Sequence, residues 1–356
     1  LVSMTFSLTS SLTQPFFGLL GDRVGHSRLM VFGAAIAGLA MSVMLAVDRF
    51  WLLLLLVSCS GLASGAFHPQ GAALATQTSN ERRGSAMSIF MLGGNLGYSF
   101  GPLLATTALA IAGAYMSALL ALLGVVLAIL VAWLARVDGR PLAARPRAQA
   151  AAAARAPLAL MATVTLVVFL RSWIQTTIST YIPQWFKAGG ESTGSAGNLL
   201  FIILFPLAIG GLIGGTLSDR IGRRRVLIAS TTLIGPSLWL LLHLGGAAPF
   251  FVAPVLGLAI GASIPVSIIM TQELVPRGLG LMSGVAMGLQ FVSGAIGVWV
   301  TGTLADHIGL DTTLSFSVVV PLAAAILAVL LPPDRVPAAR VRIVPGAELE
   351  ELAQER

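Results

Sequence analysis

Gly18-Leu19-Leu20-Gly21-Asp22-Arg23-Val24-Gly25-His26-Ser27-Arg28 recurs in altered form 197 residues later as Gly215-Thr216-Leu217-Ser218-Asp219-Arg220-Ile221-Gly222-Arg223-Arg224-Arg225. Each copy is a short polar hinge set between long apolar runs. The pair predicts a chain made of two related halves, each a bundle of membrane helices with the same hinge at the same place. The register extends beyond the loops. Pro69 corresponds to Pro265 at an offset of 196, and the polar stretch Asn80-Glu81-Arg82-Arg83-Gly84 falls opposite Pro276-Arg277-Gly278-Leu279-Gly280.

Composition agrees with an all-α polytopic membrane protein. Charged residues make up 10% of the 356 and hydrophobic residues 56%, with a mean hydropathy of +0.91. A soluble domain carries about 25% charged residues, so this chain cannot clothe a water-facing surface. Its 39 glycines and 18 prolines suit closely packed, locally broken membrane helices. The single cysteine, Cys59, lies in an apolar run and excludes an intramolecular disulfide.

A helix needs roughly 20 apolar residues to cross a bilayer. Eleven spans are predicted on that measure: 1–20, 29–47, 51–77, 84–110, 115–135, 158–186, 192–217, 226–244, 249–272, 279–305 and 310–331. The net charge of +7 is distributed as a topology signal. Arg23, Arg28, Arg82, Arg83, the arginines of 136–155, Arg220, Arg223–Arg225, Arg277 and the tail arginines fall in alternate connections, while Arg49 and Lys187 alone lie in the opposite ones. The positive-inside rule makes the arginine-rich side cytoplasmic and disposes of a nucleic-acid reading of the basic excess. The expected organisation is a first half over 1–135, an Ala/Arg/Pro-rich cytoplasmic linker over 136–157, a second half over 158–331 and a cytoplasmic tail over 332–356. Projecting the repeat backwards places a further helix about 40 residues before Leu1, so a first helix is expected to be missing from this sequence.

The paired hinges resemble the signature Gly-x-Leu-x-Asp-Arg-x-Gly-Arg-Arg-Arg of the major facilitator superfamily, found there between helices 2 and 3 and between helices 8 and 9. The second copy fits closely; the first has His26 and Ser27 where basic residues are usual. The resemblance implies two pseudo-symmetric six-helix halves, with about 11 of 12 transmembrane helices present. Asp22 and Asp219 lie at helix ends, where a carboxylate can accept from the free N–H groups of a neighbouring helix N-terminus. The expectation is a conformational latch of Asp22, Arg23, Asp219, Arg220 and Glu273, with Arg23 and Arg220 pairing to acids at the ends of neighbouring helices. Glu273 is placed for that; its first-half equivalent, Gln77, is not acidic.

Finer motifs lie in the third and fourth spans. Gly65-Ala66-Phe67-His68-Pro69-Gln70-Gly71, Arg82-Arg83-Gly84-Ser85-Ala86, Gly93-Gly94-Asn95-Leu96-Gly97 and Gly101-Pro102-Leu103-Leu104 are similar to the fosmidomycin resistance protein family, as are Ser10-Ser11-Leu12-Thr13-Gln14-Pro15 and Leu170-Arg171-Ser172. That resemblance implies a facilitator-type exporter of a small phosphonate antibiotic. Gly97-x-x-x-Gly101-Pro102 also resembles part of a motif of drug/proton antiporters, although Ala105 and Thr106 replace its trailing glycines; close helix packing at Gly97, Gly101 and Pro102 explains it equally well.

Polar groups inside the spans are costly unless they line a cavity or meet partners. Arg171 is the sharpest case, about 13 residues into its span with no acid evident at that depth. A cavity guanidinium suits a phosphonate or carboxylate, which it binds through a planar fork; the alternative is an arginine satisfied by the missing helix or by backbone carbonyls. His68, next to a helix-opening proline, is the candidate proton-coupling residue, or else a packing histidine. His68 and Asn95 are expected to face one central cavity. Gln14, Gln175 and Gln290 complete the candidate substrate-binding set, while Trp173, Tyr181 and Trp185 read as packing or interfacial aromatics. No metal cluster, phosphate-binding loop or catalytic triad is apparent, so neither a cofactor nor an enzyme is expected. The sequence thus predicts a monomeric secondary transporter of the bacterial-type inner membrane that exports a small anion in exchange for protons. Import of a metabolic anion and a non-transporting scaffold are the alternatives.

Overall fold

The computed structural model describes residues 2–44, 47–77, 82–112, 124–130, 132–133, 158–274 and 279–332. Among them every regular element is a helix. In chain order these are α1 (Val2–Val24), α2 (His26–Met44), α3 (Phe50–Gln77), α4 (Arg83–Ala112), α5 (Leu158–Ala188), α6 (Thr193–Ile221), α7 (Arg223–His243), α8 (Ala248–Leu274), α9 (Leu279–Ile308), α10 (Leu310–Ser317) and α11 (Val319–Val329). Residues 124–130 and 132–133 are also helical, whereas the rest of the expected fifth span, the linker 136–157 and the tail beyond 332 lie outside the described residues.

Among the described residues eight segments are long and apolar enough to cross a membrane, counting α10 and α11 together. α1 and α4, with 23 and 30 residues, have the length but are not among the eight. The last expected span, 310–331, is not one helix. Pro321 removes a backbone donor and its ring crowds the carbonyl four residues back, that of Ser317, which is where α10 ends.

The hinges follow from single residues. Gly25 and Gly222 have φ of 101° and 100°, a conformation open to glycine but strained for other residues, and it turns the chain within one residue from α1 into α2 and from α6 into α7. Small residues then let the helices approach. Gly257 and Gly261 of α8 sit against the Ile203 and Leu207 carbonyls of α6, where an added Cβ would lie 2.1 and 1.9 Å from those oxygens. Gly61 and Gly65 of α3 receive Thr9 and Thr13 of α1, whose hydroxyls already bond to their own helix at Thr5 O (2.7 Å) and Thr9 O (2.5 Å). The main apolar core lies in the second half, among Ile174, Ile178 and Ile182 of α5, Leu199 and Ile203 of α6, Ile234 and Leu238 of α7, and Leu256 and Ile264 of α8.

The halves meet chiefly where α1 packs on α9 and α4 packs on α6, with α3 also touching α9 and α4 touching α8. Both main contacts are built on glycine. A Cβ on Gly18 would stand 2.1 Å from Gly280 O, and one on Gly84 would stand 2.2 Å from Gly215 O. Gly18 and Gly215 are repeat equivalents, as are Gly84 and Gly280, so one contact is the pseudo-symmetric image of the other.

Candidate functional site

At the hinge end of the bundle each aspartate caps a helix of the opposite half. Asp22 accepts from Gly280 N at 3.0 Å and Leu281 N at 3.1 Å, the first turn of α9. Asp219 accepts from Gly84 N at 2.9 Å, Ser85 N at 2.8 Å and Ser85 Oγ at 2.9 Å, the first turn of α4. The free N–H groups and positive dipole of a helix N-terminus favour an anion there. Burial raises the Asp22 pKa, but hydrogen bonds from His26 and the Leu281 and Gly280 amides outweigh it and hold the carboxyl below its usual range.

The arginine part of the expected latch is rearranged. Glu273 at the end of α8 pairs with Arg223, the first residue of α7, and stands 3.7 Å from Arg83 of α4. Arg220 and Arg23 are exposed and neither pairs with Glu273. The reason is helical phase: Gly222 redirects the chain, so the residue after the turn, rather than the one before it, faces α8. Arg83 makes this an ion pair between halves, which the sequence reading did not include.

The second polar centre lies between α5 and α9. Arg171 is 1% exposed. Its Nη1 donates to Gln175 Oε1 at 2.7 Å, and its Nη2 donates to Ser172 Oγ at 2.7 Å and Gln290 Oε1 at 2.8 Å. Nε is buried without a partner. Among the described residues the guanidinium meets neutral oxygens and no carboxylate, so the charge is hydrogen-bonded but not neutralised. Three of the candidate residues, Arg171, Gln175 and Gln290, therefore form one cluster. α5 is further tied to α9 by Trp173 Nε1, which donates to Thr301 Oγ1 at 3.0 Å, and by Tyr181 Oη, which donates to the Val298 carbonyl at 3.0 Å.

The remaining candidates separate. Gln14, buried in α1, donates from Nε2 to Ser10 Oγ at 3.3 Å; Ser10 Oγ reaches Ser64 Oγ at 3.3 Å, and Ser64 Oγ lies 3.1 Å from His68 Nδ1. This relay joins Gln14 to His68 through two serines. His68 Nδ1 also faces Ser64 O at 3.0 Å, which places the proton on Nδ1 and leaves Nε2 as the basic nitrogen. His68 lines a cavity of about 300 Å³ between α1, α2 and α3 with Phe6, Ala37 and Ser60 among its walls, and its ring meets Phe291, the neighbour of Gln290, edge-on at 6.4 Å. Asn95 does not share that cavity. Its buried Nδ2 has no partner and faces Gly211 of α6. Adjacent helices α3 and α4 thus turn the His68 and Asn95 side chains toward different helices of the second half, α9 and α6. An added Cβ at Gly97 meets nothing within 4 Å among the described residues, so none of these supplies the packing expected there. α4 runs through Gly101 and Pro102, whose side-chain surroundings lie outside the described residues.

Sequence reasoning missed Ser10, Ser64, Ser172, Gln70 and His26 as partners. A serine in a membrane helix gives little signal because it can bond to its own backbone. Gln70 and His26 stood in quoted motifs, but their pairing across 44 residues needs the packing of α2 on α3.

Comparison with known proteins fits this architecture. The Major Facilitator Superfamily family model matches residues 1–192 and 164–350. The chain is 30% identical to the fosmidomycin resistance protein of Escherichia coli (strain K12) over 348 residues, 94% of this chain and 84% of that one. It is equally 30% identical, over 350 residues and the same shares, to YfnC of Bacillus subtilis (strain 168), an uncharacterized MFS-type transporter. Among solved structures it resembles the fucose:proton symporter FucP (N162A) of E. coli with a TM-score of 0.74 and 14% identity, covering 93% of this chain and 90% of that one.

Proposed function

The chain belongs to the major facilitator superfamily, and from that premise we propose that this integral membrane transporter is a proton-coupled exporter of a small phosphonate-like anion. It is a transporter rather than an enzyme. The observation that carries the substrate class is the Arg171 cluster: a buried guanidinium that meets, among the described residues, only neutral acceptors and no partner for its Nε. A buried charge without a counter-ion costs several kcal/mol, of order 3–5 when a partner is withheld. An anion arriving between α5 and α9 supplies the missing counter-charge and can exchange its own water shell for the Arg171 fork and the amides of Gln175 and Gln290.

Transport follows by alternating access. With Asp22 capping α9 and Asp219 capping α4, the arginine-rich end is shut, and that end is cytoplasmic by the charge distribution. The conformation is therefore the outward-facing one, in the inner membrane, with linker and tail in the cytoplasm. Opening it requires both carboxylates to leave their helix N-termini and Glu273 to part from Arg83. Arg23 and Arg220, being exposed, contribute charge to the loops rather than a bond to the latch. His68, at the end of the Gln14–Ser10–Ser64 relay and beside Phe291, is the group that exchanges the proton. Gln14 Oε1 and Asn95 Nδ2, both buried without partners, are the further polar atoms available to a ligand once the halves rock. The working unit is the monomer, since both latches and the Arg171 cluster are completed within one chain.

The deciding experiment is fosmidomycin susceptibility in an efflux-deficient bacterium expressing the chain beside Arg171→Ala at equal abundance. Raised tolerance that is lost in the variant and on dissipating the proton gradient is the expected result. Membrane-inserted protein that gives no protection would overturn the phosphonate assignment, and sensitisation instead of protection would reverse the direction.

A further inference from the structure

His26 stands beside the latch aspartate Asp22, and its surroundings specify its protonation. The ring lies between α1, α3 and α9 and is 3% exposed. Nε2 stands 3.4 Å from Asp22 Oδ1, and Nδ1 is hydrogen-bonded to Gln70 Oε1. The Gln70 amide cannot turn to offer its NH₂ instead. Its Nε2 donates to the Phe17 carbonyl at 2.6 Å, and turning would set two oxygens against each other. Both ring nitrogens therefore face acceptors. A neutral imidazole carries one N–H and must aim a lone pair at one of the two oxygens; the imidazolium donates to both.

No other charge competes for the ring among the described residues. α1 presents the Asp22 carboxylate, α3 the neutral Gln70 amide, and α9 the Gly280 backbone, where an added Cβ would lie 2.6 Å from His26 Cε1. Arg28, on α2 itself, is exposed. The repeat supplies the contrast. The position equivalent to His26 in the second half is Arg223, which keeps its charge at any physiological pH and pairs with Glu273.

We propose that His26 is a proton-binding site of the cytoplasmic latch, held as the imidazolium while Asp22 caps α9, so that closing this latch takes up a proton that opening it releases. This rests on the latch reading of the preceding subsection. Imidazole changes charge between pH 5 and 8, so the latch beside His26 reads cytosolic pH, while the other has Arg223 at the equivalent position and does not. Acidification of the cytosol holds the hinge end shut; a rise in pH frees it.

Spin labels at Val24→Cys and Ile221→Cys, exposed positions at the hinge ends of α1 and α6, report closure by their distance in the full chain carrying Cys59→Ser and reconstituted in nanodiscs. Raising the pH from 5.5 to 8.5 is expected to shift the label-distance distribution from the closed toward the open form. His26→Arg is expected to hold the closed distance throughout, and His26→Gln to show the alkaline distribution at every pH. A pH step that survives unchanged in His26→Arg overturns the proposal. So does a neutral His26 ring in ¹⁵N-histidine spectra of the otherwise unaltered closed protein at pH 6, a measurement that needs no folded variant beyond the one used for assignment. Asp22→Asn separates the two readings. If it leaves closure unchanged, the latch itself is overturned and this proposal with it; if it opens the hinge end while His26→Arg still titrates, the proposal alone falls.

Discussion

Arg171 is anchored by three neutral oxygens, two on its own helix and one on α9, and this arrangement separates its cost to stability from its use. Removing one acceptor leaves a buried donor unpaired. Gln290→Leu is therefore expected to destabilise the protein by about 1–3 kcal/mol, seen as a lower melting temperature in detergent. Replacing the whole cluster by apolar side chains, with Arg171→Met, Gln175→Met and Gln290→Leu together, removes the buried charge as well as its partners. Such exchanges are neutral or stabilising by about 1–4 kcal/mol, so the triple variant should melt at or above the parent temperature while losing transport. A melting temperature well below that of Gln290→Leu alone would mean that the charge serves the fold. Arg171 was legible in the sequence because an arginine in the middle of an apolar run is expensive and needs a reason. Its bond to Gln290, 119 residues away, was not legible, because it depends on which face of α9 turns toward α5. The same holds for the two serines between Gln14 and His68: nothing in a lone serine says whether its hydroxyl bonds its own helix or the next one.

The helices divide into those whose small residues hold a half together and those whose small residues hold the halves against each other. Gly257 belongs to the first kind, packing α8 on α6. Gly284 belongs to the second, and a Cβ there would lie 2.3 Å from the Gln14 carbonyl of α1. Backbone cannot yield as a side-chain tip can, so overpacking should cost about 1–3 kcal/mol in either place, but the cost falls on different equilibria. Gly257→Ala is expected to lower the melting temperature. Gly284→Ala is expected to shift the label distances toward the open hinge end with little change in melting, because rocking the halves apart relieves it. Gly97→Ala, where the added methyl meets none of the described residues, should change neither. If Gly284→Ala melts as early as Gly257→Ala and leaves the distances alone, α1 and α9 do not separate. Element positions were well read from apolar run length, since a bilayer fixes how long a span must be. The break between α10 and α11 was missed because run length alone reads 310–331 as one span, while the carbonyl that Pro321 crowds, that of Ser317, is where α10 stops. The Arg220–Glu273 pairing failed for a related reason, since Gly222 with φ of 100° resets the direction in which the next side chain points, and Arg23 has the neutral Gln77 at the position equivalent to Glu273.

At the scale of the whole molecule the repeat makes two latches, and their chemistry makes them unequal. Asp219 accepts three hydrogen bonds from α4, whereas Asp22 accepts two from α9 and leans on His26 for a third. Hydrogen bonds to a charged group contribute about 1.5–3 kcal/mol each, so each carboxylate can bias the conformational equilibrium by more than tenfold. The Asp22 pKa is depressed in the closed state, with burial opposing and the bonds from His26, Leu281 and Gly280 prevailing. A carboxyl whose pKa is lowered by closure stabilises the closed state fully above its ordinary titration range and loses that contribution as the pH falls through the depressed value. The closed population should therefore drop again on the acid side, where Asp22 takes up a proton, and trace a bell with both flanks belonging to one latch. The alkaline flank is His26 losing its proton; the acid flank is Asp22 gaining one. Asp22→Asn should remove the acid flank and lower the maximum, while Asp219→Asn should lower the maximum and leave the flanks in place. Label distances between Val24→Cys and Ile221→Cys, followed from the alkaline side down through the carboxylate range, check both. An acid flank that persists in Asp22→Asn would mean that a different carboxyl, with Glu273 between Arg83 and Arg223 as the first to examine, sets the lower limit of closure.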